Sequence, residues 1–236
     1  MTVTLHAVLV GGVAPLVPGG PTSGIAKRPV EALAITRDGI AGDEQADRKH
    51  HGGPDKAVHH YAFDHYRAWR SEFADPPDCL SAPGAFGENL STTGIIEAEI
   101  CLGDLWRFGT ALLEVSQARQ PCWKLDWRFR VPGIARRVQE TGRTGWYYRV
   151  VESGRCATGD PVALVDRPLP DWPLRRLIDA LYVDCLDRAT LVAMADLAVL
   201  AESWRKVARR RLESGVVEDW THRLDGPAGL PKFYRT

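Results

Sequence analysis

Several features that would assign the chain to a common class are missing. The 30 basic and 30 acidic residues leave no net charge, so the composition does not predict a general polyanion-binding protein. The longest mostly apolar stretch, residues 191–201, contains Asp196 and falls short of the roughly 20 residues that span a bilayer. No basic residue precedes the first apolar run, so no secretory signal is expected. We therefore predict a cytoplasmic protein with no membrane partner.

The cysteines also lack a pairing pattern. Five is an odd number, and no Cys-x-x-Cys pair occurs among Cys79, Cys101, Cys122, Cys156 and Cys185. A chain without an export signal is expected to keep its thiols reduced. We predict no disulfide framework, and at most one or two cysteines with a chemical role.

Three common catalytic motifs are absent as well. The sequence contains no GxxxxGK[ST], no GxGxxG after a strand and no GxSxG. P-loop nucleotide chemistry, standard dinucleotide binding and the α/β-hydrolase nucleophile elbow therefore have no support.

The residues that are present predict a mainly β domain. Residues 1–167 contain many short candidate strands, separated by Gly, Pro and Asp and without regular alternation with helices. This pattern favours a closed or nearly closed β-barrel. The predicted strands cover residues 2–10, 30–36, 95–101, 105–108, 111–117, 146–152 and 162–165, and the predicted helices cover residues 55–73 and 134–140.

The composition changes after residue 167, where we place a domain boundary. Asp171 and Pro173 predict the start of a helix. Apolar stripes at helical spacing predict three helices, over residues 174–184, 189–197 and 200–212. Because such short helices cannot each bury a stripe alone, we expect residues 168–236 to form a small all-α domain and tail, with the helices packed on each other or on the barrel.

Cys122 lies in the stretch with the strongest electrostatic signal. Between residues 119 and 155 nine basic residues face three acidic ones, in a chain without net charge. Pro121 suits the first turn of a helix, and the positive end of a helix next to Cys122 would favour the thiolate. A thiolate among cations suits a nucleophile, a redox thiol or a soft ligand to a metal carried by an anionic cofactor. The alternative is a buried cysteine that happens to lie near exposed arginines.

Two further stretches contain residues of chemical interest. Five of the seven histidines fall within residues 50–65, which leaves a zinc site open, although no HExxH motif occurs and the histidines can equally bond loop backbone. In residues 86–90, Gly87 would let the backbone approach a ligand closely, and Asn89 offers both a donor and an acceptor. Taken alone, this second stretch is a turn.

Together these stretches resemble a known family. The landmarks occur in order along the chain, and the chain resembles the MOSC domain family, in particular its YiiM-like branch. The helical tail is similar to the small helical domain that follows MOSC in that branch. The segments that carry the resemblance are residues 23–30, 42–47, 50–58, 84–90, 103–104 and 120–125.

The resemblance implies a β-barrel that binds the molybdenum cofactor, a pterin dithiolene with a terminal phosphate. Cys122 matches the cysteine that ligates molybdenum in this family. Related proteins reduce N-hydroxylated compounds such as hydroxylamines, amidoximes and N-hydroxylated nucleobases to amines, and YiiM-like proteins are associated with protection against hydroxylaminopurine-type bases. They receive electrons from separate flavin- or haem-containing proteins.

The resemblance also implies a set of site residues. Asn89, His51 and Asp43 are expected to orient substrate or cofactor, or to relay protons. The predicted cofactor-binding residues are Lys27, Arg28, Gly87, Ser116 and Arg119.

Alternatives remain open at this point. MOSC domains also occur in cofactor-sulfurating proteins, so Cys122 could carry a persulfide or deliver cofactor without turnover. The helical domain could bind a partner reductase through its basic third helix, or mediate formation of a homodimer. A nucleic-acid partner is not expected, because acidic residues nearly balance the basic ones beyond residue 167.

Overall fold

The computed structural model describes residues 1–46 and 52–227, and its central feature is a closed β-barrel. Seven strands follow one another in the order β13-β9-β10-β11-β7-β8-β1, and β1 pairs back with β13. All neighbours in the barrel are antiparallel except β7 and β8. The strands are β1 (Thr2–Val10), β2 (Ala14–Pro15), β3 (Thr22–Ser23), β4 (Arg28–Val30), β5 (Ala32–Thr36), β6 (Gly39–Ile40), β7 (Val58–Ala62), β8 (Leu90–Thr92), β9 (Leu105–Phe108), β10 (Ala111–Ala118), β11 (Trp146–Glu152), β12 (Gly154–Ala157) and β13 (Pro161–Asp166).

The described helices fall into two groups. Three accompany the barrel, and four follow it in the C-terminal part of the chain. They are α1 (Asp64–Ser71), α2 (Lys124–Phe129), α3 (Ile134–Thr141), α4 (Leu174–Tyr182), α5 (Arg188–Asp196), α6 (Glu202–Ser214) and α7 (Thr221–Asp225), with short 3₁₀ turns at Pro54–Lys56 and Asp78–Ser81. In the described ranges, no helix combines the length and the hydrophobicity needed to span a lipid bilayer.

The predicted barrel is confirmed, but the predicted helix over residues 55–73 is wrong. Only α1 is helical there, and β7 occupies the first half of the stretch. β7 pairs with β11 on one side and with β8 on the other, and all five of its residues are buried. A strand buried on both faces shows no alternation of apolar and polar residues, so its sequence pattern can be mistaken for a helix.

The predicted strand over residues 95–101 is also wrong, because this segment folds as turns. The Glu99 carboxylate accepts a hydrogen bond from the backbone N–H of Ile96 at 2.7 Å, and the Glu99 N–H donates to the Ile96 carbonyl at 2.9 Å. Asp104 accepts a bond from the Cys101 N–H at 2.9 Å. These side chains take up the backbone donors that a strand would offer to its neighbour.

The C-terminal helices pack against the barrel. Phe108 and Trp106 of the barrel belong to the same buried hydrophobic cluster as Leu177 of α4, Met194 of α5 and Trp204 of α6. The start of α4 differs from the prediction, since Pro173 is itself the N-cap residue and no side chain caps the helix. The boundary at residue 168 stays a prediction, because the apolar cluster runs across it without a break.

A second buried cluster, which we call the aromatic cluster after Tyr61, Tyr66, Trp69, Phe86 and Phe129, lies beside the barrel and includes residues of the helix that follows β10. Tyr61 and Phe86 stack with ring centroids 3.9 Å apart, and Phe129 of α2 packs on Phe86 at 5.1 Å. The Trp69 indole N–H donates to the Tyr61 hydroxyl at 2.6 Å. This cluster fixes α1 and α2 on the same end of the molecule.

The buried His60 predicts a specific pH dependence of stability. Its ring nitrogens lie 3.0 Å from the Tyr148 hydroxyl and 2.8 Å from the Thr92 hydroxyl, and burial lowers its pKa to about 3. In the unfolded chain the His60 side chain binds a proton as the pH falls through about 6.5, whereas in the folded chain it stays neutral there. The free energy of unfolding should therefore decrease as the pH falls below that value, by about 1.4 kcal/mol per pH unit for this residue.

We expect His60→Gln, which keeps a polar side chain without a titration, to reduce that slope between pH 6 and pH 4. Urea unfolding at a series of pH values measures it. The exposed His222→Gln serves as the matched control and should keep the wild-type slope. A His60→Gln variant with the full wild-type slope would contradict the assignment.

Candidate functional site

A cavity beside the barrel brings together residues that are far apart in the sequence. Its wall combines the segment before β4, the loop before β8, the first residues after β10 and one residue each from β7 and β11. The described lining residues are Ser23, Gly24, Ile25, Lys27, Glu44, Gln45, Ala46, Lys56, His59, Phe86, Gly87, Asn89, Arg119, Cys122, Lys124 and Tyr147. Four of the five charged side chains in this list are cationic.

Cys122 lies on the cavity wall just before α2. The residue is only 8% exposed. Its carbonyl accepts a hydrogen bond from the Leu125 N–H at 3.0 Å, which forms the first turn of the helix. The prediction that Cys122 precedes a helix among cations agrees with this placement, although α2 has only six residues.

Arg119 supplies buried positive charge next to the thiol. Its backbone N–H bonds the Gly145 carbonyl at 2.9 Å, which joins the end of β10 to the residue before β11. The residue is 5% exposed, and its Nη1 is buried with no hydrogen-bond partner among the described residues. A buried guanidinium N–H without an acceptor is unfavourable unless a ligand supplies one. This unpaired donor indicates that the cavity is built for an anionic group.

Tyr147 and His59 form an adjoining polar wall. Their rings lie 4.9 Å apart. Burial raises the pKa of Tyr147, although the charge of Arg119 opposes that shift, so the phenol stays protonated at neutral pH. Burial and the charge of Arg119 hold the pKa of His59 well below its usual range, and its Nε2 is buried with no partner among the described residues. His59 is therefore a neutral imidazole at the cavity.

Sequence reasoning did not select Tyr147 or His59 as site residues. The sequence pattern placed His59 in a helix, whereas the residue lies on β7, the strand that pairs with β8. Tyr147 is one of several aromatic residues in a strand, and no motif marks it. A prediction that β11 pairs with β7, which brings Tyr147 opposite His59, would have identified both residues.

Lys27 and Asp43 form a buried ion pair at the edge of the cavity. Lys27 Nζ lies 2.5 Å from Asp43 Oδ2, and both side chains are nearly buried. Burial lowers the pKa of Lys27, while Asp43 and, more weakly, Glu88 raise it. Asp43 Oδ1 also accepts a bond from the Gly11 N–H at 2.8 Å. Lys27 lines the cavity and Asp43 does not, so Asp43 holds the cation in place from behind.

The loop before β8 is organised by a buried carboxylate. Glu88 accepts hydrogen bonds from the N–H groups of Gly84 and Phe86 at 2.6 and 3.0 Å, and from the Tyr66 hydroxyl at 2.5 Å. Gly87 has φ = +77°, and a Cβ there would lie 2.9 Å from a side-chain atom of Ile25. Only glycine fits this turn without strain.

Asn89 reaches the cavity, but its amide is largely engaged. Its Oδ1 accepts from the His59 N–H at 3.2 Å, and its Nδ2 donates to the Leu9 carbonyl at 3.2 Å. The side chain thus joins β7 to β1. This arrangement fits a role in holding His59 in position, while the predicted catalytic role of Asn89 stays a prediction.

Three of the predicted site residues that the structure describes, Asp43, Arg28 and Ser116, do not line the cavity. Arg28 lies on β4 with an exposed side chain and is not a lining residue. The Ser116 hydroxyl faces the carbonyl oxygens of Asp55 at 2.6 Å and Tyr147 at 3.0 Å, so it braces the barrel wall. His51 lies outside the described residues. The cofactor-binding roles given to Arg28 and Ser116 gain no geometric support.

The described histidines are not arranged as a zinc site. His65 Nε2 pairs with Glu97 at 2.7 Å, and His60 bonds Tyr148 and Thr92 inside the barrel. Within residues 1–46 and 52–227, no group of three or more His, Cys, Asp or Glu side chains could hold a metal ion.

The Lys27–Asp43 pair generates a prediction for stability. Asp43→Asn keeps the acceptor for the Gly11 N–H but leaves the Lys27 charge buried without a counter-charge, which typically costs about 3 kcal/mol. We expect this loss in urea unfolding at pH 7. It should shrink as the pH rises toward 10, where Lys27 can lose its proton in both the folded and the unfolded chain.

The double variant Lys27→Met/Asp43→Asn is the matched control, because it removes both charges. It should recover most of the lost unfolding free energy. Equal destabilisation of the single and double variants would show that the ion pair does not explain the burial of Lys27.

Comparisons with known proteins agree with this architecture. A family model described as MOSC domain matches residues 47–163, and one described as YiiM-like, 3-alpha helix domain matches residues 172–215. The chain is 40% identical to Protein YiiM of Escherichia coli K12 over 210 residues, which cover 89% of this chain and 93% of that protein. It is 41% identical over 182 residues to a protein named Reductase from Gibberella moniliformis, covering 75% of this chain and 31% of that longer protein.

A solved structure shares the whole fold. The crystal structure of YiiM from Escherichia coli superposes with a TM-score of 0.78 and 32% identity, covering 94% of this chain and 98% of that one. The sequence identity, the two family matches and the shared arrangement of barrel and helices lead to one conclusion: the chain is a member of the MOSC domain family, of the YiiM type with a three-helix domain.

Proposed function

We propose that the protein binds the molybdenum cofactor in the Cys122 cavity and reduces N-hydroxylated compounds to amines. The observation that carries the proposal is that one cavity is lined both by the single thiol of Cys122 and by Arg119, whose buried Nη1 has no hydrogen-bond partner among the described residues. The substrates we propose are hydroxylamines, amidoximes and N-hydroxylated nucleobases. The relative named Reductase supports an oxidoreductase role.

The donor set fits such a cofactor. A thiolate is a soft ligand that suits a redox metal among sulfur donors. The dithiolene of the pterin would bring further sulfur ligands, so one protein cysteine is enough. Arg119 and Lys27 would bind the terminal phosphate by charge-assisted hydrogen bonds, with Lys56 and Lys124 on the same wall adding positive charge.

The cofactor, when bound, would supply the two-electron chemistry. The net reaction takes up two electrons and two protons, cleaves the N–O bond and releases water and an amine. The protonated Tyr147 hydroxyl is a neutral proton donor on the cavity wall, and the neutral His59 ring offers an unpaired Nε2 beside it. The ion pair with Asp43 would hold Lys27 in place so that its ammonium group faces the bound anion.

The electrons would come from a separate flavin- or haem-containing protein. The helical domain is the surface we propose for this partner or for a homodimer contact, because the exposed side of α6 contains Lys206, Arg209 and Arg210.

A carrier role is the second candidate. Cys122 is a lone cavity thiol next to cations, and such a thiol can hold a persulfide as well as ligate a metal. The two candidates differ in what the purified protein contains, so one experiment separates them.

The test uses the full chain made in a host that synthesises the cofactor. Molybdenum is measured by elemental analysis, and sulfur adducts on Cys122 are measured by mass spectrometry. Activity is measured as the reduction of a hydroxylamine in the presence of an artificial electron donor. We expect Cys122→Ser to lower molybdenum content and activity by about 100-fold or more, because the metal loses its protein ligand.

Cys185→Ser is the matched control, since Cys185 lies in the helical domain and its thiol bonds the Leu181 carbonyl, a contact that serine can keep. It should behave as the wild type. Undiminished reduction by Cys122→Ser would refute the proposal, and a labile sulfur adduct on Cys122 without molybdenum would favour the carrier role.

A further inference from the structure

Residues 119–123, between β10 and α2, are here called the cysteine loop. The chain returns to this loop after the bundle formed by α4, α5 and α6. Residues 216–225, here called the C-terminal strap, leave the end of α6 and finish in α7. Leu224 of the strap is 1% exposed and belongs to the aromatic cluster beside the barrel, together with Leu125 and Phe129 of α2. The strap thus shares one buried cluster with the helix that follows Cys122.

Arg223 contacts the cysteine loop on both sides of Cys122. The Trp123 N–H donates to the Arg223 carbonyl at 2.9 Å, and Arg223 Nη1 donates to the Pro121 carbonyl at 2.5 Å. Arg223 Nη2 donates to Gln139 Oε1 of α3 at 2.6 Å. Backbone and guanidinium of one residue therefore fix the peptides that precede and follow the cysteine.

The other end of the strap is tied to the bundle. Arg211 of α6, 1% exposed, pairs with Glu218 at 2.8 Å. The Trp220 indole N–H donates to Glu218 at 3.1 Å, and the Trp220 ring packs on Tyr182 of α4 with centroids 5.6 Å apart. The strap has a fixed anchor, so Arg223 can hold the loop instead of moving with it.

The cysteine loop has few backbone bonds of its own. Pro121 has no N–H, and α2 contributes only a six-residue helix after the loop. A short loop held by long-range contacts opens when those contacts are lost. The position of the Cys122 thiol in the cavity therefore depends on a residue 101 positions later in the chain.

We propose that Arg223 is a positioning residue that holds Cys122 in the cavity through the Pro121 and Trp123 peptides. The relevance for catalysis rests on the proposed function, while the positioning itself does not. It makes the helical domain part of the site, because the bundle anchors the strap that carries Arg223.

The test measures the thiol directly on the full chain, without cofactor. Arg223→Met removes the guanidinium but keeps the length of the side chain, and Arg223→Lys retains one charged donor. Arg136→Met is the matched control, since Arg136 pairs with Asp225 of the same strap at 3.2 Å and, among the described residues, makes no hydrogen bond or ion pair to the loop. The readouts are the rate of alkylation of each cysteine by iodoacetamide and the hydrogen exchange of the peptide that contains Trp123.

We expect Arg223→Met to raise the Cys122 alkylation rate roughly tenfold, because the loop loses the charge-assisted hydrogen bond from Arg223 Nη1 to the Pro121 carbonyl. Hydrogen exchange of the Trp123 peptide should also become faster in Arg223→Met. For both readouts we expect Arg223→Lys to lie between Arg223→Met and the wild type, and Arg136→Met to equal the wild type. The other four cysteines are internal references. Equal Cys122 rates in Arg223→Met and Arg136→Met, or a uniform increase at all five cysteines, would overturn the proposal.

Should Arg223→Met fail to fold, Gln139→Leu decides the question. It removes the acceptor that holds Arg223 Nη2 and leaves the bond to Pro121 possible, so a smaller but selective rise at Cys122 is expected. If the alkylation rate of Cys122 does not rise selectively in Gln139→Leu, the proposal is contradicted. A wild type that binds no molybdenum would refute the proposed function, while these thiol measurements would still decide the role of Arg223.

Discussion

Everything at the site depends on positive charge that is held out of water beside a thiol. A buried guanidinium and a buried ammonium are costly unless an opposite charge or a set of acceptors faces them. The protein pairs Lys27 with Asp43 from behind, while Nη1 of Arg119 has no acceptor among the described residues. Lys27 therefore lines the cavity with its counter-charge already supplied by the fold, and Arg119 keeps a donor that a bound anion can satisfy.

The closed barrel makes this arrangement possible. Closure leaves the seven barrel strands without a free edge, so their positions are fixed by pairing on both sides. β7 lies between β11 and β8, and this places His59 beside Tyr147 and next to Asn89. The His59 and Tyr147 side chains are therefore carried by strands that are paired on both sides, which suits a preorganised electrostatic site.

The sequence revealed strands that turn residues separate from their neighbours and helices that carry an apolar stripe, and it missed β7, which runs into a helix without a Gly or Pro between them. The strands at residues 2–10 and 146–152 were predicted with their observed bounds. β7 was read as helix because it is buried on both faces, and α1 directly after it does carry a true helical stripe with Tyr66 and Trp69. Local patterns cannot tell such a strand from a helix when the neighbouring strands are distant in sequence.

The site shows the same division between local and long-range information. Cys122 could be selected because its cations are close in sequence, and Lys27 because its segment matched a family landmark. Arg223 offers no such signal, since its contacts to the Pro121 and Trp123 peptides exist only after the helical domain has packed on the barrel. A thiol that must meet a large anionic group needs both a charged cavity and a fixed backbone. The barrel supplies the first, and the strap anchored on the bundle supplies part of the second. A helical domain that only covered the barrel would not need a strap that is anchored on the bundle through Arg211, Glu218 and Trp220 and that places Arg223 on the cysteine loop.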